Sequence, residues 1–399
     1  MVDKVDFMCS IDSDIVKIKV LSVFGTRPEG IKMAPILKRL DSDPRFISKV
    51  CVTSQHKEML VQVLNIFNII PDYDLNIMKP NQDLYDITSL VLLGMRDLYR
   101  TIKPDVILVH GDTTTTMAAS ISAFYMNIPI GHVEAGLRTG TLTAPFPEEA
   151  NRVIVDRLAR FHFCPTETSI KNLLKENIPE KYISLTGNTV IDALLMVKEM
   201  VRNKEPDEWQ EQYQQALTAI KDPQQKIVLI TAHRRENFGK NFLNICEGIS
   251  LLANRFPDVS FIYPAHLNPN VRKPVTTILA NHPNIFIIDP LDYAPFVYLM
   301  NRSYMIITDS GGIQEEAPSL GKPVLVMREA TERPEALLGK NAILVGVEPQ
   351  TIFETSSRIL LDPELYKKMS KKNNPYGDGK ASERIIQTLY NFFISKSDR

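Results

Sequence analysis

Several ionisable residues of this chain stand where a solvated side chain has little reason to be. Glu134 follows apolar Val133 and precedes Ala135-Gly136, and Asp112 sits in His110-Gly111-Asp112 ahead of four threonines, Thr113 to Thr116. A carboxylate in apolar surroundings titrates closer to neutral pH, which suits general acid or base work. For Asp112, an ordinary helix-capping aspartate is the plain alternative. Glu148 is a third candidate, presented at a helix start by the proline-stiffened stretch Pro145-Phe146-Pro147, whereas Glu149 reads as a helix-face residue.

Cations gather beside turns. Gly25-Thr26-Arg27-Pro28-Glu29-Gly30-Ile31-Lys32 places Arg27 and Lys32 at a helix N-terminus, where backbone N–H groups and the helix dipole favour an anion. A capped helix with surface cations is the alternative there. The stretch is neither a GxGxxG fingerprint nor a Walker loop. Further on, His233-Arg234-Arg235 forms an imidazole–guanidinium cluster suited to phosphate, or else a charged solvated loop. Ser310, Gly311 and Gly312 put backbone donors and a hydroxyl at another helix start, with Glu316 one turn in and placed to accept hydrogen bonds from ribose hydroxyls. Arg328 and Arg333 add positive charge after the last major strand.

Elements must hold these groups, and each cluster ends a short β-branched run. KIKVLSVF, KVCVTS, DVILVHG, IPIGHVEAG and FHFCPT come first; KIVLIT, VSFIYP, NIFIID, YMIITD and KPVLVM follow. Continuous apolar runs separated by helical stretches predict parallel strands covered on both faces, with ligands beyond their carboxyl ends. Two such sets in 399 residues predict an α/β protein of two doubly wound Rossmann-like domains, residues 17–190 and 191–380. The amphipathic segment 381–399 is expected to pack back on the first domain, and residues 1–16 to form a polar extension.

Composition removes other classes. Forty-six Lys and Arg against 47 Asp and Glu give a net charge of -1, which argues against a nucleic-acid or membrane-surface binder. No run of ~18 apolar residues predicts a membrane span, and charges interrupt the N-terminus before any signal core forms. Cys9, Cys51, Cys164 and Cys246 are scattered, as in a reducing compartment, so a cytoplasmic location is expected. Histidines 56, 110, 132, 162, 266 and 282 lack metal-ligand spacing and read as core or loop residues, His266 in YPAHLNP being left open.

In combination, FGTRPEGIKMAP, VHGDTTTT, HVEAGLRTG, PFPEEANR, YPAHLNPNVR, TDSGGIQEEAPSLGKPVL and ATERPEA resemble the bacterial non-hydrolysing UDP-N-acetylglucosamine 2-epimerases, in order over residues 17–399. The resemblance implies a glycosyltransferase-B arrangement, a homodimer and a site in the cleft between domains. It makes Asp112, Glu134 and Glu148 the catalytic carboxylates and His233 essential for handling UDP. Substrate contacts fall by motif on Arg27, Lys32, Asp112, Glu134, His233, Phe296, Ser310, Gly311, Gly312, Glu316 and Arg333. A family position near Asp289-Pro290 that often holds Gln is Leu291 here, so any contact there must run through backbone. Gln55, Arg235 and His266 resemble parts of a second site at which many relatives bind UDP-N-acetylglucosamine as activator.

The chemistry follows from the substrate so implied. Its C2 hydrogen is not acidic in the ground state, and no nicotinamide fingerprint signals an oxidation, so no cofactor is expected. The remaining route eliminates UDP to 2-acetamidoglucal and adds it back, with proton exchange on two faces of C2. A hydrolysing relative, a glycosyltransferase and a non-catalytic UDP-sugar sensor are the competing expectations.

Overall fold

The computed structural model describes residues 17–397 except 55–56, 332–334, 336, 338 and 373; the N-terminal extension, Gln55 and Arg333 lie outside the described residues. Two all-parallel sheets organise the chain. The first has seven strands in the order β3-β2-β1-β4-β5-β6-β7: β1 (Ile18–Phe24), β2 (Phe46–Val52), β3 (Tyr73–Asp74), β4 (Val106–His110), β5 (Ile130–Val133), β6 (Phe161–Cys164) and β7 (Ile183–Leu185). The second has six in the order β10-β9-β8-β11-β12-β13: β8 (Lys226–Thr231), β9 (Val259–Pro264), β10 (Ile285–Ile288), β11 (Met305–Thr308), β12 (Val324–Val326) and β13 (Ala342–Leu344). Val106 to Val109 and Ile227 to Ile230 are fully buried, as central strands covered on both faces must be. The apolar runs mark the central strands, whereas the edge strand β3 has only two residues and carries no such run.

Strand order reverses between β1 and β4 in the first sheet and between β8 and β11 in the second. At such switch points the flanking helices diverge to opposite faces and open a crevice beyond the strand ends. Helix α1 (Arg27–Ser42) leaves β1, and α4 (Thr114–Tyr125) leaves β4; the His233 loop and the helix Gly311–Glu316 leave β8 and β11. Helix α7 (Thr189–Met200) packs against α1 and the helix Tyr293–Arg302, so it touches elements of both halves.

The helix Ala381–Ser397 packs against α1 and α7. Its start is anchored by Asp192, which accepts from the Ala381 and Ser382 N–H groups at 3.1 and 2.8 Å and from the Ser382 hydroxyl at 2.6 Å. Farther along, Phe392 meets Phe161 edge-on with centroids 4.8 Å apart. Cys51, Cys164 and Cys246 are buried free thiols, and burial pushes Cys51 and Cys246 up to about 12. Among the described residues no helix is long and apolar enough to cross a membrane.

Candidate active site

The carboxyl ends of the two sheets face a cleft of about 590 Å³ whose wall includes Lys32, His110, Asp112, Glu134 and Arg152 from the first half and Arg234, Glu236 and Arg328 from the second. Glu134 directly follows β5 and adopts φ 67°, the left-handed region that a non-glycine residue enters only when its surroundings enforce it. The turn aims its carboxylate at Lys32 on α1, with which it forms an ion pair. Asn188 donates to Glu134 at 2.9 Å and to Glu315 of the second half at 3.3 Å, so one amide links the two halves at this carboxylate.

Asp112 ends the β4 turn and receives Arg152 of α5 (Glu148–Leu158) at 2.5 Å. Burial raises its carboxyl, with Arg152 opposing and Glu134 reinforcing the rise. Thr113, not Asp112, caps α4, its hydroxyl accepting from the Thr116 N–H at 3.1 Å. The capping alternative for Asp112 therefore fails, and its carboxylate is left to the cleft.

The first turns of α1 and α5 hold further groups that spacing does not reveal. Glu29 is buried, accepts the Gly25 and Thr26 N–H groups at 3.0 and 2.8 Å, and takes the Thr113 and Thr116 hydroxyls at 2.7 and 3.0 Å. It thus fastens the β1 exit to the β4 exit. Glu149 is no solvated helix-face residue: it is 1% exposed, accepts from the Thr139 and Gly140 N–H groups at 2.9 and 3.0 Å, and meets Arg152 at 3.1 Å. Reading α5 by its polarity misassigned Glu149 because its partners lie nine and ten residues back in a loop. Glu148 opens α5 with its Oε2 buried and without a hydrogen-bond partner, and it stands outside the cleft wall.

His110 also differs from its reading as a plain core or loop residue. It lines the cleft, lacks a hydrogen-bond partner on either ring nitrogen, and lies 3.8 Å from Glu134. Burial holds it down to about 3, so its ring is neutral.

In the second half, fully buried Asp309 organises the β8 exit. Its carboxylate accepts the His233 N–H at 2.9 Å, the Arg234 N–H at 2.8 Å and the Asn237 amide at 3.2 Å. The His233 side chain is 45% exposed and stacks on His266, centroids 5.8 Å apart. Burial lowers its pKa, with His266 and Arg234 adding to the fall. Arg235 is exposed and outside the cleft wall, which Arg234 joins instead.

Ser310 precedes the short helix Gly311–Glu316, but its N–H is taken by the Thr308 hydroxyl at 3.0 Å, so Gly311 and Gly312 remain as the backbone donors of that turn. Glu316 is buried and accepts the Tyr293 hydroxyl at 3.0 Å; burial pushes it up to about 7, while Lys32 and Arg27 from the facing half pull it down. Arg27 and Lys32 therefore act across the domain boundary. Leu291 is 8% exposed within the core, and Phe296 is half-buried against the same core. Among the described residues, no group of His, Cys, Asp and Glu side chains is arranged to hold a metal ion.

Comparison with known proteins places this arrangement. Residues 38–390 match the family model described as UDP-N-acetylglucosamine 2-epimerase. The UDP-N-acetylglucosamine 2-epimerase of Escherichia coli K12 is 55% identical over 377 residues, covering 94% of this chain and 100% of that protein. The crystal structure of the UDP-GlcNAc 2-epimerase from Neisseria meningitidis bound to UDP-GlcNAc is 53% identical, with a TM-score of 0.84 over 94% of this chain and 100% of that one. A putative UDP-N-acetylglucosamine 2-epimerase from Listeria monocytogenes superposes with a TM-score of 0.88 at 42% identity, covering 95% and 97% of the two chains. The two parallel-sheet domains are of glycosyltransferase-B type, and with a family model and relatives matched over nearly its whole length, this chain belongs to the UDP-N-acetylglucosamine 2-epimerases, a family of isomerases.

Proposed function

We propose that the chain interconverts UDP-N-acetylglucosamine and UDP-N-acetylmannosamine by eliminating UDP and adding it back. The observation that carries this reading is the convergence of Asp112 and Glu134 on one cleft whose wall also carries Lys32, Arg138, Arg152, Arg234 and Arg328. A carboxylate takes the C2 proton, the C2–H electron pair becomes the C1=C2 double bond of 2-acetamidoglucal, and the C1–O electron pair leaves on the β-phosphate of UDP. A proton then reaches C2 from the opposite face while the phosphate oxygen attacks C1. Two faces need acid–base groups in two positions, which Asp112 and Glu134 supply from the cleft wall and Glu148 from the α5 start outside it. The raised pKa direction of Asp112 suits such a group.

Arg27, Lys32, His233, Arg333 and the Ser310-Gly311-Gly312 turn stabilise charge on the departing diphosphate. Glu316 holds ribose hydroxyls, while Phe296 and the Leu291 backbone complete the nucleotide contacts. Cations from both halves keep UDP enclosed until the domains open, so readdition outruns escape. The product supplies cell-surface polysaccharide precursors in the cytoplasm. The working form is a homodimer, and the exposed apolar residues Tyr85, Leu93, Phe124 and Tyr125 on the first domain offer a face for it. Gln55, Arg235 and His266 belong to a second, activating UDP-N-acetylglucosamine site; the stacking of His266 on His233 supports a link between the two sites.

Incubation with UDP-N-acetylglucosamine in D2O tests the reaction. Deuterium should enter C2 of both epimers while little free UDP accumulates. Stoichiometric UDP and N-acetylmannosamine would assign the hydrolytic reaction instead, and unchanged substrate would reduce the chain to a binding protein.

A further inference from the structure

We propose that the buried His132–Asp156 pair is the positioning device for the catalytic carboxylates, an assignment that rests on the epimerase reading of Asp112, Glu134 and Glu148. Both side chains are fully buried, and His132 Nδ1 lies 2.6 Å from Asp156 Oδ1. The other ring nitrogen, Nε2, lies 2.7 Å from the Gly111 carbonyl. The ring thus spans from the Asp156 carboxylate to the backbone of the β4 turn. Burial alone would raise Asp156, but His132 and Arg138 outweigh it and hold the carboxyl down at about 2. Arg138 reaches Asp156 Oδ2 at 2.8 Å, and the Gly136 N–H donates to the same oxygen at 3.2 Å.

The connections matter for where they end. Gly111 is the residue before Asp112. Gly136 lies two residues after Glu134, at φ +83° and with Ser169 O 2.4 Å from where a Cβ would sit, so no side chain fits at this turn. Asp156 belongs to α5, the helix that Glu148 opens. One ion pair therefore fastens the three segments that carry the three carboxylates, and Asn151 of α5 adds a bond to the Asp112 carbonyl at 2.9 Å. Stability alone is a weak reason for a fully buried ion pair, because apolar replacements are often no worse. Fixed distances between proton-transfer groups are a better one, since a shift of about 1 Å can cost ~10²-fold in rate.

The test uses the full-length enzyme with Asp156→Asn and His132→Gln. Each should lower kcat by about 10- to 100-fold, while KM for UDP-N-acetylglucosamine, Kd for UDP and the far-UV dichroism stay near wild type. Asp156→Glu, which restores the charge, should recover part of kcat. Wild-type kcat in both variants would overturn the proposal, as would parallel losses of kcat and UDP affinity. Failure of both variants to fold would assign the pair to stability and overturn it too. The underlying epimerase reading fails separately, in the wild-type enzyme, if no C2 exchange occurs.

Discussion

The two walls of the cleft are built on different plans. On the first-domain side Glu134 and Asp112 each have a cation against them, Lys32 and Arg152 respectively. Behind them Glu29 takes backbone N–H groups and threonine hydroxyls, and one oxygen of Glu149 takes two backbone N–H groups. On the second-domain side the buried carboxylate of Asp309, after β11, goes to the backbone of the neighbouring loop after β8, and the His233 imidazole is left 45% exposed. The first wall is preorganised at the level of side chains, as proton transfer requires. The second fixes a backbone and presents its side chains to a ligand. Chemistry and nucleotide retention should therefore be separable by mutation.

The largest expected effect tests that separation. Asp112→Asn, Glu134→Gln and Glu148→Gln should each reduce kcat by ~10²–10⁴-fold, the usual scale for a general acid or base. Calorimetric Kd for UDP should change little in the same variants. A carboxylate variant whose UDP affinity falls as far as its kcat would show that the first wall also holds the nucleotide, and the contrast between walls would collapse.

What the sequence reveals divides along the same line. Strand-end motifs are local, so Asp112, Glu134, His233 and the Ser310 turn could be singled out from neighbours a few residues away. The parallel sheets were equally legible in their central strands, where burial on both faces writes an unbroken apolar run. Glu29, Glu149, Asp309 and the His132–Asp156 pair were not legible, because their partners arrive through tertiary structure. Thr113 lies 84 residues from Glu29, Asp309 lies 76 from His233, and Asp156 lies 24 from His132. Polarity alone gives a buried glutamate such as Glu149 the same signature as a solvated one. The left-handed backbone of Glu134 was also hidden, since nothing in its identity announces φ 67°.

A middle-sized effect concerns Glu316, where the two walls meet electrostatically. Burial raises this carboxyl from 4.5 to about 7. Between those values the folded state keeps a proton that the unfolded chain releases, so the Glu316 contribution to stability falls as pH rises from about 4.5 and levels off above about 7. Glu316→Gln removes that titration. Relative to wild type, the variant should gain on the order of 2 kcal/mol of stability between pH 5 and pH 8. Urea midpoints at the two pH values measure it. Equal pH dependence in the two proteins would mean that Arg27 and Lys32 already compensate the charge and that the facing wall is closer than the burial of Glu316 implies.

The smallest effect is the most discriminating for the second wall. His233→Ala removes a half-exposed ring whose own backbone N–H is already held by Asp309, so the loop should keep its course. Unfolding temperature should therefore stay within a degree or two. On the proposed role of His233, what is lost is one contact to the diphosphate, worth about 1 kcal/mol, or a five- to tenfold rise in Kd for UDP. Because the proposed reaction keeps UDP bound between elimination and readdition, the same loss should appear during turnover as more free UDP and 2-acetamidoglucal per epimerisation event. Those two readouts must move together if His233 retains the leaving group. A fall in kcat with UDP affinity and UDP release unchanged would move His233 to the chemistry of the first wall, and the division between the walls would no longer follow the domains.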